Sequence, residues 1–218
     1  MPTLLLRLEG PMQSWGTRSK FDVRDTEMEP SKSGVLGLLC AAMGIDRSDW
    51  EGLEPLTRLV MGVRIERPGV LRKDYQTAQL YPDDVTTPTA LSSRQYLSDA
   101  TFLVGLEGER ELLERLDEAL RNPHWPLALG RKSYLPSAPV AMPGGVRNAG
   151  VRDVLKNEPA LKPRPTVTPE SLRLVFETTD ASEGSLRYDV PVASFAERRY
   201  GPRYVTTHEF CTPQEATR

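Results

Sequence analysis

The residues best suited to recognition chemistry lie between Gly10 and Gly44. A Gly-Pro loop, GPMQSWG at 10–16, displays the carboxamide of Gln13 and the indole of Trp15. Such an amide can pair with a base edge and an indole can stack on a base, with core packing as the alternative for the indole. Farther on, Ser31, Lys32, Ser33 and Gly34 open a long apolar run. A helix N-terminus carrying two hydroxyls and a lysine suits an anion; the alternative is an ordinary N-cap beside a solvated lysine. Gly34 and Gly37 follow the lysine instead of preceding it, so this is no Walker A loop and nucleoside triphosphate binding is not expected.

Groups for covalent or metal chemistry are sparse. His124 sits in NPHWP and His208 in RYVTTHEF, more than eighty residues apart. The sequence has no HxxE, paired-carboxylate or Cys/His spacing, so neither a metal nor another cofactor is expected. Cys40 and Cys211 are expected to be reduced structural thiols of a cytosolic protein. The 28 basic and 30 acidic residues give a net charge of -2, which argues against a uniformly cationic nucleic-acid binder. Locally the balance differs: residues 99–118 carry -5 and residues 121–166 carry +6, the latter on Pro- and Gly-bearing loops suited to phosphate contact. Solvated loop charge is the alternative. Arg7 and Glu9 interrupt the only early apolar run, and Val35–Ile45 is about half a bilayer span, so neither secretion nor a membrane is expected.

The elements that must hold these groups follow from hydrophobic period. Thr3–Leu8 is an aliphatic first strand, and residues 33–45 form a buried helix capped by Ser31 or Ser33. A short amphipathic helix or two turns (46–58), a strand (59–66) and a further strand-like run (70–78) come next. Residues 96–106 read as a single strand. Glu109–Arg121 is strongly amphipathic, with Leu112, Leu113, Leu116, Ala119 and Leu120 in one stripe. That order is the skeleton of a ferredoxin-like, RRM-like split βαβ unit in an α+β chain. Residues 122–170 show little periodicity, and strand-like runs at 172–177, 186–192 and 203–210 point to a smaller β-rich C-terminal part. Domain limits of 1–140 and 141–218 are expected.

Several long blocks, LRLEGPMQSWG, PSKSGVLGLLCAAMGIDR, DYQT, SRQYLSDATFLVGL and LGRKSYLPSAP, resemble in this order the CasD family. Its members are RAMP-superfamily subunits of the type I-E CRISPR surveillance complex, Cascade. The resemblance implies an RRM-like domain with an inserted thumb hairpin, here 70–96. It implies a cap on the complex that holds the repeat-derived 5′ handle of the CRISPR RNA, with a CasC-type backbone subunit and a CasA-type large subunit as partners. The implied location is the cytoplasm. Against this background Gln13, Trp15 and Tyr75 are expected to face bases, Arg24, Lys32, Arg94, Arg131 and Lys132 to face phosphate, and Ser31, Ser33 and Ser133 to donate hydroxyls. Related CasD-like proteins cut precursor RNA. Metal-free cleavage needs a base and an acid brought together, and the two histidines match no family block, so a non-catalytic subunit is expected over an endoribonuclease.

Overall fold

The computed structural model describes residues 1–17, 23–79, 90–161 and 171–211. Strand β1 (Thr3–Glu9) is followed by two-residue strands β2 (Met12–Gln13) and β3 (Val23–Arg24), then by helix α1 (Lys32–Met43). Ser31 is the α1 cap, its hydroxyl accepting from the Gly34 N–H at 3.3 Å, and Gly44 ends the helix in the left-handed region (φ 74°). The chain continues through α2 (Trp50–Thr57), β4 (Val60–Arg67), β5 (Val70–Ala78), β6 (Ala90–Ser98), β7 (Thr101–Glu107) and α3 (Arg110–Arg121). It closes with β8 (Ala141–Arg147), α4 (Val151–Asn157), β9 (Ser171–Thr178), β10 (Ser185–Pro191) and β11 (Tyr200–Cys211).

The main sheet has the order β10-β11-β9-β4-β7-β1-β8, and every neighbouring pair is antiparallel. Its right half, β8-β1-β7-β4 with α1 and α3 as the two crossovers, has the connectivity and strand order of a ferredoxin-like unit. The fourth strand of that unit is β8, just past the boundary expected at 140. A large bulge hides it from a periodicity reading. Leu4 pairs with Val146 and Leu6 with Ala141, so five steps of β8 lie against two of β1, with Pro143, Gly144 and Gly145 between. The β-rich C-terminal part extends this same sheet, through β9 pairing with β4.

Alternation on the strands sends two sets of side chains to two faces. Leu4, Leu6, Leu8, Phe102, Val104 and Leu106 pack with α1 and α3 residues such as Leu36, Leu39, Leu113 and Leu116. Leu5, Leu103, Leu174 and Phe176 pack with Val151, Val154 and Leu155 of α4. Arg64 is wholly buried beneath α4, paired with Glu66 at 2.5 Å, and donates to the carbonyls of Leu155, Glu158 and Pro159 at the end of that helix. A buried guanidinium is tolerable only with this many acceptors.

A second sheet is centred on β6. Strand β5 pairs with it antiparallel from Val70–Ser98 to Ala78–Ala90, while β2 (antiparallel) and β3 (parallel) line its other edge. The β5–β6 pair lies in the segment expected as an inserted hairpin; residues 80–89 between these strands lie outside the described residues, as do the cationic-segment residues Lys162 and Arg164. The stretch expected as one strand, 96–106, is divided between the two sheets. Asp99 (φ 55°) and, across from it, Gly69 (φ 71°) turn the paired strands β4/β7 into β5/β6. A side chain on Gly69 would meet the Ser98 carbonyl at 2.6 Å, so glycine is required at this corner.

Candidate nucleic-acid interface

The GPMQSWG loop turns inward. Trp15 is 1% exposed, and its indole N–H donates to Oε1 of Gln13 at 3.2 Å. The Gln13 amide donates in turn to the carbonyls of Ala100 (2.8 Å) and Leu8 (3.2 Å), and the residue is 0% exposed. Base contact by these two residues, expected from their chemistry, is therefore corrected to a supporting role. An indole needs one acceptor when buried, and Gln13 supplies it while tying the loop to β1 and to the residue that precedes β7. The loop fixes the segment after it as well: the Trp15 N–H donates to the Thr26 hydroxyl at 2.9 Å, and the Ser14 hydroxyl reaches the carbonyls of Asp25 and Gln95.

A second loop docks on the first. The Ser14 N–H donates to the Leu129 carbonyl at 3.0 Å, and the Leu129 N–H to the Tyr134 carbonyl at 2.7 Å. Tyr134 closes a turn by donating its N–H to the Arg131 carbonyl at 2.8 Å. Gly130 has φ 95°, and a β-carbon there would fall 1.8 Å from the Ser14 carbonyl oxygen. Lys132 and Ser133 occupy the exposed centre of this turn. Arg131 points back, donating to the Gln95 carbonyl (3.0 Å), the Arg24 carbonyl (3.4 Å) and the Tyr134 hydroxyl (2.7 Å). Tyr134 stacks obliquely on Tyr96, ring centres 6.1 Å apart.

Register then sorts the hairpin's side chains. Paired residues share a face, so Arg24, Arg94, Asp74, Arg72 and Tyr96 lie on one face and Tyr75, Ser93, Leu71, Leu97 and Lys73 on the other. Arg24 is exposed; Arg94 is half-buried, with its Nε donating to the Ser92 hydroxyl. Arg24, Arg94, Arg131, Lys132 and Ser133 are thus assembled around the outer edge of β6. Tyr75, 63% exposed, stands on the opposite hairpin face. Arg72 and Tyr96 share the face of Arg24 and Arg94, Tyr96 packing partly on the core, and the sequence reading did not single them out; alternation in the run 70–78 paired with 90–98 carries that signal, once the pairing is known.

The α1 N-terminus is an anion site already filled from within. The backbone N–H of Lys32 donates to Oδ2 of Asp189 at 2.8 Å, and Lys32 Nζ lies 3.0 Å from Glu177. Arg203 joins both acids, at 2.6 Å to Asp189 and 3.2 Å to Glu177, and Arg187 pairs with Glu29 alongside. Lys32 is 3% exposed and Ser31 1%, so both are corrected from RNA contacts to parts of this internal network; Ser33 beside them is half-buried. Burial lowers the Lys32 pKa against the pull of Glu177. Burial works to raise the Asp189 pKa, but the Arg203 hydrogen bonds and charge, with the Lys32 N–H, bring it below the ordinary carboxylate value. These partners lie 145 to 157 residues downstream of Lys32, beyond any local pattern.

The face on which RRM domains usually stack bases is closed. Its central strands present Leu5, Leu103 and Gly105, and α4 covers them. His124 caps α1, its N–H donating to the Ala42 carbonyl at 2.9 Å, whereas His208 lies on β11 beside Thr206 and Phe176. Among the described residues no three acidic, His or Cys side chains form a metal-sized group, and no helix is long and apolar enough to cross a membrane. Buried Cys40 has its thiol pushed up to about 12 by desolvation.

The family model described as CRISPR-associated protein (Cas_Cas5) matches residues 3–206. The CRISPR system Cascade subunit CasD of Escherichia coli (strain K12) is 33% identical over 148 residues, which cover 60% of this chain and 65% of that relative's length. Among solved structures, one described as the crystal structure of a Cas protein is 48% identical with a TM-score of 0.78, covering 98% of this chain and 96% of that one. A chain of a CRISPR RNA-guided surveillance complex is 32% identical with a TM-score of 0.76, covering 97% and 91%. With nearly the whole described sheet inside the family match, this chain belongs to the Cas5 family of CRISPR-associated proteins.

Proposed function

We propose that this chain is a Cascade subunit that holds the repeat-derived 5′ handle of the CRISPR RNA and caps the complex, beside a CasC-type backbone subunit and a CasA-type large subunit in the cytoplasm. The observation that carries this reading is the assembly of Arg24, Arg94, Lys132 and Ser133 around the middle of β6, in a Cas5-family chain. Exposed cations on a turn and an edge strand suit the backbone of a short single strand, and the hairpin's aromatic Tyr75 suits a splayed base or a protein neighbour. The near-neutral total charge is compatible with this, because only local cations meet RNA while other faces meet protein.

The chain acts as a binder and not as a nuclease. What supports this is that the two histidines belong to separate elements, His124 at the end of α1 and His208 on β11. The test is to incubate the full chain with its repeat RNA in EDTA and to follow both retention and integrity of the RNA. Retention of intact RNA, weakened by Lys132→Ala and Arg24→Ala, is expected. Cleavage abolished by His124→Ala or Tyr75→Phe would establish the endoribonuclease reading instead.

A further inference from the structure

We propose that Arg131 is a positioning residue and not a phosphate ligand: it locks the Lys132–Ser133 turn to β3 and β6, so that Lys132 and Arg24 present their charges on one surface. This rests on the RNA-binding reading above and assigns the roles within that surface. The β6 edge explains the need. Strand β2 covers that edge at Leu97 and Ser98, and β3 covers it at Ser93 and Arg94. Between them the Gln95 carbonyl faces a gap in the ladder. The Arg131 guanidinium fills it at 3.0 Å, together with the Ser14 hydroxyl at 3.4 Å.

The same guanidinium reaches the Arg24 carbonyl, on the strand whose side chain is exposed, and the Tyr134 hydroxyl, on the residue that closes the turn. One planar group therefore joins three segments that are remote in sequence: 24, 95 and 131–134. Its central carbon also lies 5.3 Å from the centre of the Tyr134 ring, a cation–π contact that adds to the hydrogen bonds. A lysine at this place would carry the same charge but could not span two carbonyls and a hydroxyl with a rigid fork. The lysine that follows differs: Lys132 is exposed at the turn's centre, with no side-chain hydrogen bond or ion pair to another of the described residues.

Charge and shape are separated by comparing Arg131→Lys, Arg131→Ala and Lys132→Ala in the full-length chain. The first readout is affinity for a short single-stranded RNA with the repeat-derived 5′ sequence, as a function of salt. The second, without RNA, is hydrogen exchange at the Glu27 and Tyr134 amides, both bonded within the docked loops. Arg131→Lys is expected to weaken RNA binding about tenfold, as Arg131→Ala does, and to speed exchange at both amides. Lys132→Ala is expected to lower the slope of log K against log salt by about 0.7, the loss of one single-strand phosphate contact, with exchange unchanged. Wild-type affinity in Arg131→Lys, with a slope lowered only in Arg131→Ala, would make Arg131 a phosphate ligand and overturn the proposal. Unchanged exchange in Arg131→Lys would overturn the lock itself, whatever the RNA does. Faster exchange in a chain whose wild type binds no RNA would overturn the positioning role and place the failure in the RNA-binding reading.

Discussion

Gly130→Ala puts a single methyl group where the two docked loops, around Ser14 and around Lys132, touch. The added carbon would lie 1.8 Å from the Ser14 carbonyl oxygen, at a φ of 95° that L side chains rarely adopt. Backbone strain in such a conformation costs about 1–2 kcal/mol. Relief requires a shift of more than about 1 Å to restore a normal carbon–oxygen contact, which breaks the Ser14-to-Leu129 bond and the Arg131 bonds to Gln95 and Arg24. At about 1 kcal/mol net for each, the three bonds together with the strain total about 4–5 kcal/mol for the loop pair. Part of this falls on local order, because the centre of the turn, Lys132 and Ser133, is exposed, while Leu129 and Tyr134 at its flanks stay anchored in the core. Equilibrium urea unfolding should therefore show a loss of about 2–4 kcal/mol at most, with RNA affinity reduced more than tenfold because Lys132 and Arg24 lose their common surface. Amide exchange at Tyr134 should rise in parallel. A Gly130→Ala protein with wild-type stability and wild-type RNA affinity would refute the close approach of the two loops and the surface built on it.

Asp189→Asn should destabilise the chain by about 3–5 kcal/mol in urea, because the buried Lys32 and Arg203 lose one of the carboxylates that balance them. The Asp189 pKa is depressed in the folded state, so its stabilisation is present above the unfolded carboxylate value and is lost as pH falls through the lower folded value. The gap between wild type and Asp189→Asn should accordingly close on acidification below about pH 4 and stay constant from there to neutrality. Trp15→Ala should cost about 3–5 kcal/mol in the same assay, as a core cavity does. Tyr75→Ala should cost less than about 0.5 kcal/mol, and its effect should appear in complex assembly instead. In a Cys211→Ser background, Cys40 should resist a maleimide at pH 7.5 until the chain is unfolded, since its thiol stays protonated.

Period and capping made much of the frame legible: the β1 run, the buried α1 helix and the α3 stripe are all local patterns. Strand β8 escaped because Pro143, Gly144 and Gly145 break its alternation, and α4 because a seven-residue helix leaves little period to read. For the site, sequence marked the right segments but could not assign their directions. Trp15 reads equally well as a stacking face or as core, and only Gln13 as its acceptor decides. Lys32 reads as an anion ligand, which it is; the anions are Glu177 and Asp189 of its own chain, supplied by strands far downstream. The Lys132–Ser133 turn carries no local signal that it docks on Ser14. Gly130 alone hints at the contact, and its left-handed φ is visible only in three dimensions.

Photocrosslinking of the assembled, RNA-loaded complex, with adducts mapped by mass spectrometry, tests the central claim most directly. Handle nucleotides should crosslink within residues 129–134, 23–24 and 70–98 of this chain, leaving Trp15 and the strands under α4 unmodified. Adducts confined to other surfaces, or an RNA 5′ end crosslinked only to other subunits, would contradict it.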